Sequence, residues 1–201
     1  MIYKLAAKTL ANRLKKIHPS IISETQSAFV NDRLITDNVL VAFEAVHHIS
    51  QRKTGKTGEM ALKLDMSKAY DRVEWVCLDK IMEKLGFHPR WQSLMMQCIS
   101  SVTYSVKING KPWGHITPSR GLHQGEPLSL YLFLLCAEGL SALIKKAVSD
   151  RVMEGVSICR GAPILSHLFF ADDSIIFCKA SIENCDSSQH VLDVYELASG
   201  Q

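Results

Sequence analysis

Apolar residues recur along this chain with two different spacings, which predict where helices and strands lie. Spacing of three and four residues is typical of helices, and short apolar or alternating runs are typical of strands. The expected helices cover residues 3–17, 36–50, 68–85, 89–100, 127–148 and 183–198, and the expected strands cover residues 60–65, 103–108, 112–116, 164–170 and 175–178. Helices interleaved with strands and hairpins indicate an α+β fold.

Residues that start or stop regular structure set the expected ends of these elements. Pro19 is expected to close the first helix, and Thr36 or Asp37 to cap the second. Gly86 is the expected C-terminal stop of the third helix. Asn109-Gly110 suits the tight turn of a hairpin, because its twist matches that of paired strands. A polar linker is expected over residues 51–59, between the second helix and the first strand.

Composition narrows the function only slightly. With 201 residues, of which 47% are hydrophobic and 21% charged, the chain can form one domain, or one domain and part of another. A net charge of +3 is too small to identify a nucleic-acid partner. The six cysteines show no Cys-x-x-Cys spacing, so we expect reduced and mostly buried thiols. The apolar stretch 128–137 is shorter than a membrane span, so no membrane partner is expected.

Three carboxylates lie at the ends of the apolar, strand-like runs. Asp65 ends the first strand, and Asp172 and Asp173 lie at the expected tip of a largely buried hairpin. Two like charges about 4 Å apart repel by roughly 4 kcal/mol at an effective dielectric constant near 20, and hard divalent cations remove that repulsion. We therefore predict a site for two Mg²⁺ ions, with Mn²⁺ as a substitute, of the kind that drives nucleotidyl transfer. The alternative for an Asp-Asp pair is an ordinary turn.

Six runs, in this order and spacing, resemble the reverse transcriptase domain of non-LTR (LINE-type) retrotransposons, most like those of plants. They are Leu-Ala-Asn-Arg-Leu at 10–14, Gln-Ser-Ala-Phe-Val at 26–30, Arg-Leu-Ile-Thr-Asp-Asn at 33–38, Leu-Asp-Met-Ser-Lys-Ala-Tyr-Asp at 64–71, Arg-Gly-Leu-His-Gln-Gly-Glu-Pro-Leu-Ser at 120–129 and Phe-Ala-Asp-Asp at 170–173.

The resemblance implies a right-hand polymerase palm, which is an RRM-like antiparallel sheet backed by helices, together with partial helical fingers. Residues 1–59 would be the partial fingers. Residues 60–201 would be the palm, with its catalytic motifs at 64–71, 120–129 and 170–173. Both ends look truncated: the basic residues that grip the triphosphate would precede Met1, and Ala-Ser-Gly-Gln at 198–201 looks like the start of a fourth motif.

The resemblance also implies roles for individual residues. Catalysis and metal binding would fall to Asp65, Asp172 and Asp173, and substrate binding to Met66, Tyr70, Gln124 and Gly125. The ring of Tyr70 would occupy the space of a ribose 2′-hydroxyl, which favours a DNA product over RNA; a tyrosine that only packs in the core is the alternative. Asp71 is expected to be structural. Arg33 is either an arginine of the fingers or a solvated loop residue.

The implied activity is RNA-directed DNA polymerisation. The partners would be an RNA template, a DNA primer and deoxynucleoside triphosphates, with no small organic cofactor, in the nucleus or the cytoplasm. Glu126, Leu130 and His123 replace the Asp, Pro and basic residue usual in the family, and Glu126 is expected to cap its helix poorly. These departures leave open a second interpretation, a non-catalytic relic or nucleic-acid-binding fragment. An RNA polymerase is a third, which Tyr70 disfavours.

Overall fold

The computed structural model describes residues 2–52 and 57–201. In chain order the elements are α1 (Ile2–Ile21), α2 (Ile35–Gln51), β1 (Gly58–Asp65), α3 (Ala69–Arg72), α4 (Trp75–Lys84), α5 (Pro89–Ser100), β2 (Tyr104–Ile108), β3 (Lys111–Ile116), α6 (Pro127–Ser149), β4 (His167–Phe170), β5 (Asp173–Ala180) and α7 (Ile182–Ser199). The α+β prediction is confirmed. Most of the linker expected at 51–59 lies outside the described residues, and β1 begins at Gly58.

The main sheet is antiparallel and has the strand order β1-β5-β4. Strand β5 is therefore the central strand, and β1 lies at an edge. Beyond β4, the loop between α1 and α2 adds a short parallel bridge between Gln26 and Phe169. Strands β2 and β3 form a separate hairpin. Its turn residues Asn109 and Gly110 both have positive φ, as predicted for a tight hairpin.

Helix α6 is the centre of the hydrophobic core. Its residues are buried on nearly all sides, among them Phe133, Leu135 and Leu140. It packs against α1, α4 and α7, and its residues Leu140 and Ile144 share a hydrophobic cluster with the strands of the main sheet. Among the described residues α6 is the one helix long and apolar enough to cross a membrane. Of its most apolar 18-residue stretch, 61% is buried in the fold, which is typical of a core helix.

Two predicted helix ends are wrong. Helix α1 continues through Pro19 to Ile21. The guanidinium of Arg33 donates hydrogen bonds to the carbonyl oxygens of Ile22 (2.9 Å) and Ser23 (2.5 Å), which satisfies the backbone just after this helix. The N-cap of α2 is Leu34, without a side-chain capping bond, so neither Thr36 nor Asp37 caps that helix.

The single helix expected at 68–85 is divided into α3 and α4. At the break, the carbonyl oxygen of Val73 accepts a hydrogen bond from the N–H of Gly121 (2.8 Å), and the N–H of Glu74 donates to the carbonyl oxygen of Ser199 (2.9 Å). These backbone groups bond to distant segments, so a continuous helical ladder is not formed there. Helix α5, in contrast, has the predicted bounds.

All six cysteines are free thiols, as expected. The expectation that most are buried is wrong. Cys136 and Cys178 are buried, whereas Cys159 and Cys185 are exposed because they lie in a surface loop and on the outer side of α7; Cys77 and Cys98 are half-buried.

Candidate active site

The three acids predicted to bind metal meet at one end of the main sheet. Asp65, the last residue of β1, lies directly opposite Asp173, the first residue of β5. Asp172 lies beside them, in the two-residue turn between β4 and β5. Residues directly opposite in an antiparallel pair have Cβ atoms about 4.5–5.5 Å apart, on the same face of the sheet. The structure therefore brings together Asp65 and Asp173, which are more than 100 positions apart in the chain.

The burial of the three acids differs from the prediction. Asp172 and Asp173 were expected near the core, but Asp173 is exposed and Asp172 only half-buried; Asp65 is also exposed. Asp65 is the last residue of the edge strand β1, and Asp173 comes directly after the turn at the start of β5, so both lie at a solvent-facing end of the sheet. The carboxylate of Asp173 has a partner in the ammonium of Lys63, with 3.5 Å between Oδ1 and Nζ.

The donor set fits a magnesium ion in part. Within residues 2–52 and 57–201, no group of three or more His, Cys, Asp or Glu side chains is arranged to hold a metal ion. Magnesium, however, is usually bound by one or two carboxylates together with waters and substrate phosphates. Asp65 and Asp172 supply such hard oxygen ligands at adjacent strand ends. The three-acid, two-ion site stays a prediction.

Tyr70 lies close to Asp172, on the short helix α3. Its ring stacks on Phe133 of α6, with 4.6 Å between the ring centroids. Burial raises the pKa of the Tyr70 hydroxyl, and the nearby negative charge of Asp172 raises this pKa further. The side chain therefore both packs on the core and lies near the acidic turn. Met66, next to Asp65, is half-buried and packs between the two main hydrophobic clusters.

Gln124 and Gly125 lie in the loop before α6. Gln124 is exposed and lines a cavity of about 410 Å³ together with Tyr3, Asp71 and Arg120. Gly125 has φ of +90°, and no atom lies within 4 Å of the position of an added Cβ. The positive φ alone thus favours glycine at 125, without any close contact. A role for either residue in substrate binding stays a prediction.

Gly121, which sequence reasoning did not single out, makes the close contact in this loop. Its φ is +86°, and an added Cβ would lie 2.6 Å from the carbonyl oxygen of Asp71. The next residue, Leu122, donates its N–H to the carbonyl oxygen of Tyr70 at 2.7 Å. The loop before α6 is therefore joined directly to the helix that carries Tyr70. The sequence signal that could have found it was this glycine itself, in the run Arg-Gly-Leu-His at 120–123.

A second segment holds α3 from another side. Gly200 has φ of +77°, and a Cβ there would lie 2.6 Å from the carbonyl oxygen of Arg72. The side-chain amide of Gln201 donates to the carbonyl oxygen of Ala69, and Gln201 also accepts from the hydroxyl of Tyr195 at 3.0 Å. The backbone around Tyr70 is thus fixed by residues 199–201 as well as by the loop before α6.

Glu126 is the N-cap residue of α6 and makes no capping hydrogen bond, as expected. Its carboxylate instead accepts a hydrogen bond from the hydroxyl of Tyr3 at 2.7 Å. Burial and this hydrogen bond raise the pKa of Tyr3. The departure from Asp at this position therefore has a structural use, because the longer side chain joins the start of α6 to α1.

Arg33 is not the solvated loop residue that the sequence left open, and its place among the fingers stays a prediction. Its guanidinium donates to the carbonyl oxygens of Ile22, Ser23 and Gln26, at 2.9, 2.5 and 2.8 Å. It organises the loop between α1 and α2, which in turn bridges to β4.

The family described as "Reverse transcriptase (RNA-dependent DNA polymerase)" matches residues 1–198. The chain belongs to the reverse transcriptase family. This match confirms the family resemblance and, at family level, the polymerase assignment. It covers α1 to α7, including all three acids.

Curated relatives of this reverse transcriptase domain are proteins of transposable elements and one organellar protein. The transposon TX1 149 kDa protein of Xenopus laevis is 30% identical over 197 residues, which are 98% of this chain and 14% of that protein. A Pol polyprotein from the type-1 retrotransposable element R2 of Popillia japonica is 29% identical over 131 residues, 65% of this chain and 20% of that protein. An uncharacterized mitochondrial protein of Arabidopsis thaliana is 51% identical over 67 residues, 33% of this chain and 55% of that protein. The assignment to non-LTR elements is confirmed, and the chain spans little of the length of the two transposon proteins.

Solved structures with a similar fold include telomerases. The apo telomerase of Candida tropicalis, truncated from its C-terminal domain, superposes with a TM-score of 0.60 at 16% identity, over 96% of this chain and 37% of that chain. The telomerase of Candida albicans in complex with a fragment of telomeric RNA gives 0.58 at 14% identity, over 94% of this chain and 31% of that chain. These matches confirm the polymerase fold.

Proposed function

We propose that this chain is the palm, with part of the fingers, of an RNA-directed DNA polymerase of a non-LTR retrotransposon. In this proposal residues 1–59 belong to the fingers and residues 60–201 to the palm. The reaction would join a deoxynucleotide to the 3′-hydroxyl of a DNA primer on an RNA template. The observation that carries the proposal is the meeting of Asp65, Asp172 and Asp173 at one end of the sheet, beside Tyr70.

Asp65 and Asp172 are the proposed magnesium ligands, with Asp173 adjacent to them. When bound, magnesium would neutralise phosphate charge and lower the barrier to attack by the primer hydroxyl. The half-buried position of Asp172 favours it over Asp173 as a ligand, since Asp173 is exposed and paired with Lys63. Mn²⁺ accepts the same oxygen ligands and serves as a spectroscopic substitute.

Tyr70 is proposed to select the sugar. Its ring is held by stacking on Phe133 and by the backbone contacts of α3, so it cannot readily move to admit a larger sugar. A rigid ring near the acids would exclude a 2′-hydroxyl. RNA is the proposed template, since the family is RNA-dependent.

The second candidate is a fragment that binds nucleic acid without turnover. The observation that favours it is the ion pair between Lys63 and Asp173, which places a protein cation beside the predicted metal site. The two candidates differ in primer extension, and only the polymerase requires a metal.

The site is tested by titrating the 201-residue chain with Mn²⁺ and measuring binding by electron paramagnetic resonance. We expect binding that Asp172→Asn weakens by about tenfold or more, because a charged ligand is lost. Asp150→Asn is the matched control, since Asp150 is an exposed acid paired with Lys146 at the far end of α6. Equal affinities of wild type and Asp172→Asn would refute the assignment. Mn²⁺ binding without primer extension on an RNA template would favour the non-catalytic fragment.

A further inference from the structure

The acidic turn between β4 and β5 contains a backbone conformation that needs support. Only Ala171 and Asp172 lie between the two strands. Ala171 has φ of +54°, in the left-handed region. This region is unfavourable for residues with a Cβ, and such conformations persist where surrounding contacts fix them. Whatever holds Ala171 therefore also sets the direction in which Asp172 leaves the strand.

The side chain of Gln26 makes the contact to this turn. Its Oε1 accepts a hydrogen bond from the N–H of Ala171 at 3.2 Å and a second from the N–H of Ala28 at 2.9 Å. Gln26 is only 2% exposed and Ala171 only 9%. Because both residues are buried, water does not readily replace Gln26 as the acceptor, and the loss of Oε1 would leave a buried N–H unpaired.

The backbone around Gln26 is itself anchored to β4. Phe169 donates its N–H to the carbonyl oxygen of Thr25 at 2.8 Å, and Ser27 donates to the carbonyl oxygen of Phe169 at 3.2 Å. The side-chain amide of Asn38 donates to the carbonyl oxygens of both Thr25 (3.0 Å) and Phe169 (2.9 Å). Residues 25–27 are thus held against Phe169 of β4. From there the side chain of Gln26 reaches Ala171, which lies two residues after Phe169 in the turn.

From this geometry we infer that Gln26 is a positioning residue for Asp172. It fixes the turn by bonding to Ala171 and so holds the Asp172 carboxylate in the orientation that binds metal. Only the expected effect of Gln26 on metal binding rests on the proposed function. The fixing of the turn follows from the contacts of this chain alone.

Hydrogen exchange of the Ala171 amide tests the first step. In the wild-type chain this amide should be protected from exchange, and Gln26→Met, which keeps the length and removes the acceptor, should speed its exchange by about tenfold or more. Asn38→Ala is the matched control, because it also removes two hydrogen bonds from the same segment but does not contact the turn. An Ala171 amide that exchanges freely in the wild type would overturn the inference, even if Gln26→Met does not fold.

Mn²⁺ affinity tests the second step, with Gln26→Met and Asn38→Ala compared at temperatures where both are fully folded. We expect Gln26→Met to bind Mn²⁺ about tenfold more weakly than wild type, as is common when support for a metal ligand is lost, and Asn38→Ala to bind like wild type. Equal weakening by both variants would show a general loss of stability and overturn the inference. A wild-type chain that binds no Mn²⁺ would refute the proposed function and this second step, while the exchange result would still decide the first.

Discussion

The backbone of Gly121 passes so close to Asp71 that a Cβ atom on residue 121 would lie 2.6 Å from the carbonyl oxygen of Asp71. Gly121 also accepts a hydrogen bond from the indole N–H of Trp75 at 2.7 Å and donates to Val73 at 2.8 Å. Three contacts thus converge on one glycine. They join the loop before α6 to α3 and to the start of α4.

We expect Gly121→Ala to destabilise the fold by about 3 kcal/mol, since the added Cβ meets both an unfavourable φ and a backbone atom that cannot give way locally. Gly125→Ala is the matched control. It has a similar positive φ in the same loop but open space around its Cβ, so it should cost only about 1 kcal/mol. Urea unfolding measures both free energies. Similar losses for the two variants would show that the contact with Asp71 is unimportant.

Elements governed by local sequence were predicted well. Helix α5 has both predicted ends, because Pro89 fits a first helical position and the chain after Ser100 turns into a strand. The turn at Asn109-Gly110 depends only on its own two residues. The break between α3 and α4 was missed, because it depends on hydrogen bonds to Gly121 and Ser199, which are distant in sequence.

The candidate site shows the same division. The acidic hairpin and its tip could be predicted, because apolar runs on both sides define two adjacent strands. The exposure of Asp65 could not, since it depends on β1 being an edge strand, and strand order is a property of the whole sheet. The contact of Gln26 with Ala171 joins residues 145 positions apart. No periodicity or turn signal near either residue indicates that contact.

Removal of the Lys63 ammonium should strengthen metal binding at the candidate site. Its Nζ lies 3.5 Å from Asp173, where it competes electrostatically with a cation. We expect Lys63→Ala to tighten Mn²⁺ binding roughly threefold at low ionic strength, and less at high salt because the charges are exposed. Lys107→Ala, on the separate β2–β3 hairpin, is the control for a general change in net charge. Unchanged or weaker Mn²⁺ binding in Lys63→Ala would show that the Lys63 ammonium does not compete with a metal ion at this site.

Substitutions of Tyr70 should separate the role of its ring in sugar selection from the role of its hydroxyl. In the presence of Mg²⁺ we expect the wild-type chain and Tyr70→Phe to bind dATP more tightly than ATP, because the ring excludes the 2′-hydroxyl. In Tyr70→Ala the ratio of dATP affinity to ATP affinity should fall about tenfold or more, because the variant no longer discriminates against ATP. Competition binding with a fluorescent nucleotide measures the ratio. A preference retained in Tyr70→Ala would show that Tyr70 only packs against Phe133.

Two buried histidines should make the fold sensitive to acid. Burial, with a smaller effect of Arg33, lowers the pKa of His18 to about 4, and burial, with a smaller effect of Lys145, lowers the pKa of His167 to about 4. In the unfolded chain both would have pKa values near 6.5. Between these values the unfolded state binds more protons, so the free energy of unfolding falls as pH falls from about 6.5 to about 4 and is unaffected by these groups above pH 7 or so.

His18→Phe should remove about half of this acid sensitivity. The ring nitrogens of His18 have no hydrogen-bond partner among the described residues, and the ring packs edge-on against Tyr131 with 5.0 Å between centroids, so phenylalanine can replace it. Between pH 7.5 and pH 5 we expect the wild type to lose roughly 2 kcal/mol more in unfolding free energy than His18→Phe. His190→Gln, at an exposed position on α7, should keep the wild-type dependence. The free energies of unfolding come from urea-unfolding curves at both pH values. If wild type and His18→Phe lose the same free energy of unfolding between pH 7.5 and pH 5, His18 does not titrate in this range.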